Sequence, residues 1–318
     1  MLTKAKVLDF KMKELKLIAL YYYICDCYDN ELKWHCQRFS NNISILDNLT
    51  KITDEEILTI YLYSMMEEEK YKIKSIHTYA KNYMSSWFPS LPSYPRFTIR
   101  LNRLSNVFPL LLKSFLEDAK DIFQDEIDFG LSVLDAMPII TCSAKRKGKV
   151  AREIVDKGYC STKSLHYYGL KLHLIGFRRV GKIPFPEVIR LSGAAENDLN
   201  ATREDIDTSK NRCFFADKAY SVVSNKAFVQ KLRLNDVEIL TPVKLVKGEP
   251  QNIRQFDKAA NDLFSTAVSK VRQPVESFFA WLNRINDIQR ASLVRSTKGL
   301  NVHVFGRITA AIAAWVIS

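Results

Sequence analysis

Three acidic residues stand where their surroundings give a charge little reason to be. Asp135 interrupts the apolar run Leu131-Ser-Val-Leu-Asp-Ala-Met-Pro-Ile-Ile140, Asp217 follows Cys213-Phe-Phe-Ala216, and Glu276 falls within Val271-Arg-Gln-Pro-Val-Glu-Ser-Phe278. An unpaired carboxylate in a buried strand costs several kcal/mol unless a cation or hydrogen bonds compensate it. Two strand-end Asp and one helical Glu are the oxygen ligands expected for paired hard cations, because magnesium needs few carboxylates per ion and keeps waters for substrate phosphates. Two such ions, about 4 Å apart, can activate the attacking oxygen and stabilise the leaving oxygen of an in-line phosphoryl displacement. No Cys or His nucleophile is then needed.

Each acid also has a purely structural reading. Asp135 can cap a turn at Pro138, Asp217 can sit at a helix amino terminus or pair with Lys218, and Glu276 can form a surface pair with Arg272. If Glu276 is helical, Arg272 at i−4 and Ala280 at i+4 share its face, while Val275, Phe278, Phe279 and Leu282 cover the other. Pro274 then belongs in the first turn.

The elements that must position these acids fall into two regimes. All ten glycines lie between Gly130 and Gly306. The amino-terminal part is rich in helix formers, with a Thr53-Asp-Glu-Glu56 start ahead of Ile57, Ile60, Leu62 and Met65. Three prolines between Pro89 and Pro95 forbid a continuous helix there, and a further helical segment is expected from Phe97 to about Phe123. After Gly130 come β-rich runs at Leu131–Ile140, Tyr167–Phe177, Val188–Leu191, Cys213–Ala216 and Val237–Pro242, with helical stretches near Asp198–Ile206, Asn225–Leu234 and Ala267–Ile288. The expected class is α/β, a mixed sheet flanked by helices and preceded by an all-α amino-terminal region. The expected boundaries are residues 1–96 for the helical region, 97–128 for a helical connector and 129–318 for the catalytic part.

Charge follows the same division. The chain carries 47 Lys and Arg against 35 Asp and Glu, a net of +12. Residues 129–318 hold 30 basic against 17 acidic residues, whereas residues 1–128 hold 17 against 18. A basic balance favours a polyanionic partner, with nucleic acid ahead of an anionic membrane surface. The densest basic segment, with Lys145, Arg146, Lys147 and Lys149, is a candidate for the phosphate backbone, and Lys163, Lys171, Arg178, Arg179 and Lys182 could extend it.

At the three acids the chain resembles insertion-sequence transposases of the DDE group, which have a ribonuclease-H-like catalytic core, and most closely insertion-sequence group 982 of bacteria. The resemblance rests on Ser93-Tyr-Pro-Arg-Phe97, Val133-Leu-Asp-Ala-Met-Pro-Ile139, Tyr167-Tyr-Gly-Leu-Lys-Leu-His173, Glu196-Asn-Asp-Leu199, Phe215-Ala-Asp-Lys-Ala-Tyr220 and Val271-Arg-Gln-Pro-Val-Glu-Ser-Phe278, in that order. It implies that Asp135, Asp217 and Glu276 are the catalytic and metal-binding acids, with Mg2+ as the ion, Mn2+ as a substitute, and two ions in the site. It implies double-stranded DNA as partner, both the element's terminal inverted repeats and target DNA, read by the amino-terminal helices and held by at least a dimer. Arg272 matches the family's arginine four residues before the glutamate, able to contact phosphate or orient Glu276. Ala219 stands where relatives commonly have glycine. Ser269 and Asn283 stand where the wider signature has Tyr and Lys, so Arg284 is the candidate substitute for the lysine, and Lys218 a candidate DNA contact.

Other features read blandly. Asp198 suits a helix N-cap better than an auxiliary acid. His166 and His173 do not have zinc spacing, and six cysteines without CxxC pairs read as reduced thiols. The apolar runs at Phe108–Leu112 and Ile308–Ile317 are far shorter than the ~20 residues of a membrane span. With no secretory signal at the start, the expected setting is cytoplasmic, at the nucleoid when active. Two other functions fit the same residues: a ribonuclease-H-like nuclease without strand transfer, and a catalytically silent DNA-binding descendant.

Overall fold

A computed structural model describes residues 4–35, 52–144, 151, 153–160, 164–222, 225–243, 250–251, 255 and 258–317. Helices come first: α1 (Lys4–Cys27), α2 (Asp54–Met66), α3 (Ile73–Tyr83), α4 (Tyr94–Arg103) and α5 (Val107–Phe123). Strands follow: β1 (Ile127–Ser143), β2 (Asp156–Cys160), β3 (Leu165–Arg179) and β4 (Phe185–Gly193). Then α6 (Asp198–Thr208), β5 (Arg212–Phe215), α7 (Lys226–Leu234) and β6 (Val237–Leu240) alternate. Among the described residues the later helices are α8 (Lys258–Arg272), α9 (Pro274–Asn286), α10 (Thr297–Asn301) and α11 (Arg307–Val316). The chain divides into a helical unit, Met1–Ile122 with Leu282–Ser318, and a sheet unit, Phe123–Trp281. These bounds differ from those expected, because the last 37 residues join the helices and not the sheet.

In the helical unit, α2 begins where the sequence predicts. Thr53 Oγ1 accepts from the Glu56 amide at 3.2 Å while the Glu56 carboxylate accepts from the Thr53 amide at 2.6 Å, a capping box. The helix is buried almost all round, so it must be covered on every side, and α1, α3, α4 and α11 cover it. Gly306 lets the chain pass over Tyr61, since a Cβ there would lie 2.8 Å from the ring. The segment Thr297–Val316 is long and apolar enough to cross a membrane by length and composition, more than the Ile308–Ile317 run suggested, but two thirds of it is buried inside the protein. Its apolarity is explained by the core that it fills.

The sheet runs β2-β3-β1-β5-β6, with β4 also on β3. The β1–β5 and β5–β6 pairs are parallel and the others antiparallel. Leu134, Ile175, Phe214, Ile206, Phe228 and Leu232 form one core with α6 and α7. This is the mixed sheet flanked by helices, with a helical region before it, that the sequence led one to expect, and it is consistent with the ribonuclease-H-like class. Details differ. The expected 97–123 helix is two helices separated by a 3-10 turn at Leu104–Asn106, and the expected 267–288 helix is broken ahead of Pro274. Strand β2 had no expectation at all.

Candidate active site

Side chains alternate across a strand, so Asp135 points away from the face on which Leu134 enters the core. Its partner in β3 is Leu174. On the other side, β5 bonds to β1 only at Leu131–Cys213, Ser132–Phe214 and Val133–Phe215, an offset of 82 residues. The same offset continued two residues takes Asp135 to Asp217. The spacing of the first two acids is thus the register of two parallel strands, read just past the point where their hydrogen bonding stops. That opening also accommodates Pro138, which sits opposite Lys171 inside β1 where β5 no longer needs a donor. Pro138 therefore makes no turn, and the reading of Asp135 as a turn cap is set aside because the strand runs on to Ser143.

Asp217 caps the 3-10 turn Lys218–Tyr220, its Oδ1 accepting from the Ala219 amide at 2.7 Å. One carboxylate oxygen caps the turn, and the other has no hydrogen bond among the described residues. Ala219 is absent from the residues with positive φ, so glycine is not required there. Lys218 is exposed, and no ion pair joins it to Asp217 among the described residues. Tyr220 anchors the turn in the core.

Glu276 comes from the first turn of α9, which Pro274 starts as expected. Val275, Phe278, Phe279 and Leu282 bury the opposite face, which fixes the helix and leaves the Glu276 side chain 58% exposed. Arg272 belongs to the last turn of α8, yet it reaches both other elements. Its Nη1 donates to Asp135 Oδ2 at 2.6 Å and its Nη2 to Glu276 Oε1 at 2.5 Å. Asp135 Oδ1 accepts from the Ala136 amide at 2.8 Å. The Arg272 and Asp135 side chains are only 17% and 18% exposed. Burial pushes the Asp135 carboxyl up to about 6; Arg272 and the Ala136 amide hold it down, while the charges of Asp217 and Glu276 raise it further. Three acids far apart in sequence therefore share one electrostatic neighbourhood.

Would a divalent ion fit? The donors are carboxylate oxygens, the chemistry a hard cation takes, and two of the three acids already converge on one cation, the guanidinium of Arg272. Among the described residues, however, no three His, Cys, Asp or Glu side chains stand close enough to hold an ion as they are. The residues fit an ion in kind and in neighbourhood, provided that Arg272 releases the oxygens it holds.

Other candidates separate clearly. Lys145, Arg146, Lys147, Lys149 and Lys163 lie outside the described residues. Arg284 is exposed, eight residues beyond Glu276 in α9. Lys171, Arg179 and Lys182, expected to extend a phosphate-binding surface, are instead engaged by acids: Lys171 by Asp198 at 2.9 Å, Lys182 by Glu126 at 2.6 Å, and Arg179 by Glu126 as well. Asp198 is not the cap of α6. Asn197 is, its Oδ1 accepting from Leu199 and Asn200. His173 is buried and hydrogen-bonded with Ser192 Oγ at 2.7 Å, and the cysteines described are free. Little in the sequence pointed to one further group: the Tyr220 hydroxyl is buried with no hydrogen-bond partner among the described residues, and after burial its acidity is suppressed most by Asp198, then by Asp135 and Asp217. Its only signal was its place at the end of the Phe215–Tyr220 motif.

No curated protein and no solved structure matches the chain. A family model described as a transposase DDE domain matches residues 126–291, a stretch that contains β1, β5, Arg272 and all three acids and spans just over half the chain. The chain belongs to the transposase DDE-domain family.

Proposed function

We propose that the chain is a DNA transposase of an insertion sequence, of the group-982 type and of bacterial origin, acting as a metal-dependent polynucleotidyl transferase. Asp135, Asp217 and Glu276 would hold a pair of Mg2+ ions, or Mn2+ in their place. Bound there, the ions would supply Lewis acidity and neutralise charge on the attacking and leaving oxygens. In the first displacement, water attacks the phosphodiester at the element end; the P–O3′ bond breaks, the proton of water passes to solvent and a 3′-hydroxyl is released on the element strand. In the second, that hydroxyl attacks a target phosphate, forming one P–O bond and breaking another.

The observation that carries this reading is the single guanidinium shared by Asp135 and Glu276 in the field of Asp217. Once Arg272 is displaced from the carboxylates, its planar fork suits a DNA phosphate. Lys218 and Arg284, both exposed, would add phosphate contacts. Two element ends handled together call for at least a homodimer on DNA, in the cytoplasm.

The test uses precleaved ends and a target plasmid with Mg2+. Joined product is expected from the wild type, whereas a nuclease would give none. Asp217→Asn should keep the fold and DNA binding while cleavage falls by at least about 1,000-fold, roughly 4 kcal/mol of barrier. Full cleavage by that variant would remove Asp217 from the scheme.

A further inference from the structure

The near-neutral balance of residues 1–128 conceals a sharp internal partition. Residues 70–116 contain eight Lys and Arg and no Asp or Glu at all. This window supplies α3 and α4. Acids bound it on both sides, at Asp54–Glu56 and Glu67–Glu69 on α2 and just after it, and from Glu117 onward on α5.

Helix α4 is held firmly on one side. Phe97, Leu101 and Leu104 are buried, and Arg100 is drawn inward by the Asp54 carboxylate at 2.7 Å and by the Ile52 carbonyl. From α3, His77 Nε2 donates to the Pro92 carbonyl at 2.8 Å, and its ring meets Tyr94 and Phe97 edge-on. The other side faces outward. Arg96, Ile99 and Arg103 are exposed at i, i+3 and i+7, one stripe of the helix, and Ile99 is 54% exposed despite being apolar and β-branched. Lys72, Lys74 and Lys81, at and along α3, are exposed as well.

Two guanidiniums flanking an apolar side chain, on a helix whose back is anchored, have the chemistry that reads base edges. Arginine donates in pairs to guanine O6 and N7, an apolar side chain meets the thymine methyl, and the major groove admits a helix. Lysines on an adjoining acid-free helix suit phosphates.

We propose that the outward stripe of α4, Arg96, Ile99 and Arg103, enters the major groove of double-stranded DNA and reads its sequence, while the lysines of α3 hold the flanking backbone. This rests on the transposase reading but concerns where DNA is read, not where it is cut.

The test is fluorescence anisotropy on the full chain, with labelled duplexes taken from the DNA that flanks the reading frame and shuffled duplexes of equal composition. Arg96→Ala and Arg103→Ala should each weaken flanking-duplex binding by about 10- to 100-fold and erode the preference over shuffled DNA. Arg96→Lys should lose preference while keeping the salt dependence. Lys74→Ala should weaken both duplexes alike and lower the salt slope by about one. Circular dichroism melts of these exposed-site variants should match the wild type. Wild-type binding and preference in Arg96→Ala, Ile99→Ala and Arg103→Ala would overturn the assignment while leaving the catalytic reading intact. Conversely, wild-type cleavage by Asp217→Asn would sink the catalytic reading without touching these binding results.

Discussion

Two arginines withdrawn from water show how differently the two units use a buried cation. In the helical unit, Arg307 donates to the backbone carbonyls of Asn286, Asp287 and Tyr71, and its guanidinium lies 5.5 Å from the Tyr71 ring centroid. In the sheet unit, Arg272 donates to two carboxylates. Carbonyls are neutral and fixed in place, so no other cation could take over the whole of Arg307's role. Carboxylates carry charge of their own, and any cation of suitable hardness can serve them. The first arrangement fastens chain segments together; the second gathers charged side chains around one guanidinium.

The two arginines should differ most in what they contribute to stability. Arg307→Met should cost roughly 3 kcal/mol, because three carbonyls lose a donor, that of Asn286 fully buried and those of Asp287 and Tyr71 partly so. Arg272→Met should cost less than about 1 kcal/mol, since Asp135 can take up a proton once its guanidinium is gone. Urea unfolding of both variants measures the difference, and equal losses would erase the distinction.

A smaller effect is pH-dependent. With its folded-state pKa raised to about 6, Asp135 binds its proton more tightly in the folded protein than in the unfolded chain. Stability should therefore fall as pH rises from about 4 to about 6 and level off above, by roughly 2 to 3 kcal/mol for this group. Unfolding of the metal-free wild type compared with Asp135→Asn across that range isolates the contribution. A flat difference would mean that the carboxyl is not buried as described.

Smallest is the mutual influence of the acids. Glu276→Gln should lower the Asp135 titration midpoint by a fraction of a unit, and Arg272→Met should raise it, both read from carboxyl carbon chemical shifts. Shifts of the opposite sign would contradict the shared field.

Much of this site was legible because a charge inside an apolar strand is conspicuous. Asp135 and Asp217 stood out for that reason, and their spacing proved to be a strand register. Glu276 was legible through the apolar face behind it and through Pro274. What stayed hidden had physical causes. Apolar periodicity tells that Ile308–Ile317 is buried but not against what, so the return of the carboxy terminus to α2 could not be read. Asn197 and Asp198 are adjacent residues of equal capping ability, and only the backbone decides between them. Strand β2 is short and half exposed, with little hydrophobic pattern to betray it. The acid-free window at residues 70–116 was in plain view, but a net charge taken over 128 residues cancels it.

The proposal that Asp135, Asp217 and Glu276 form one site for divalent cations is tested by calorimetric titration of the metal-free full chain with Mn2+, repeated on Asp135→Asn, Asp217→Asn, Glu276→Gln and Arg272→Met. Binding by the wild type is expected, weakened at least about tenfold by each acid substitution and retained or strengthened when Arg272 no longer competes. Unchanged Mn2+ binding in all three acid variants would contradict the account.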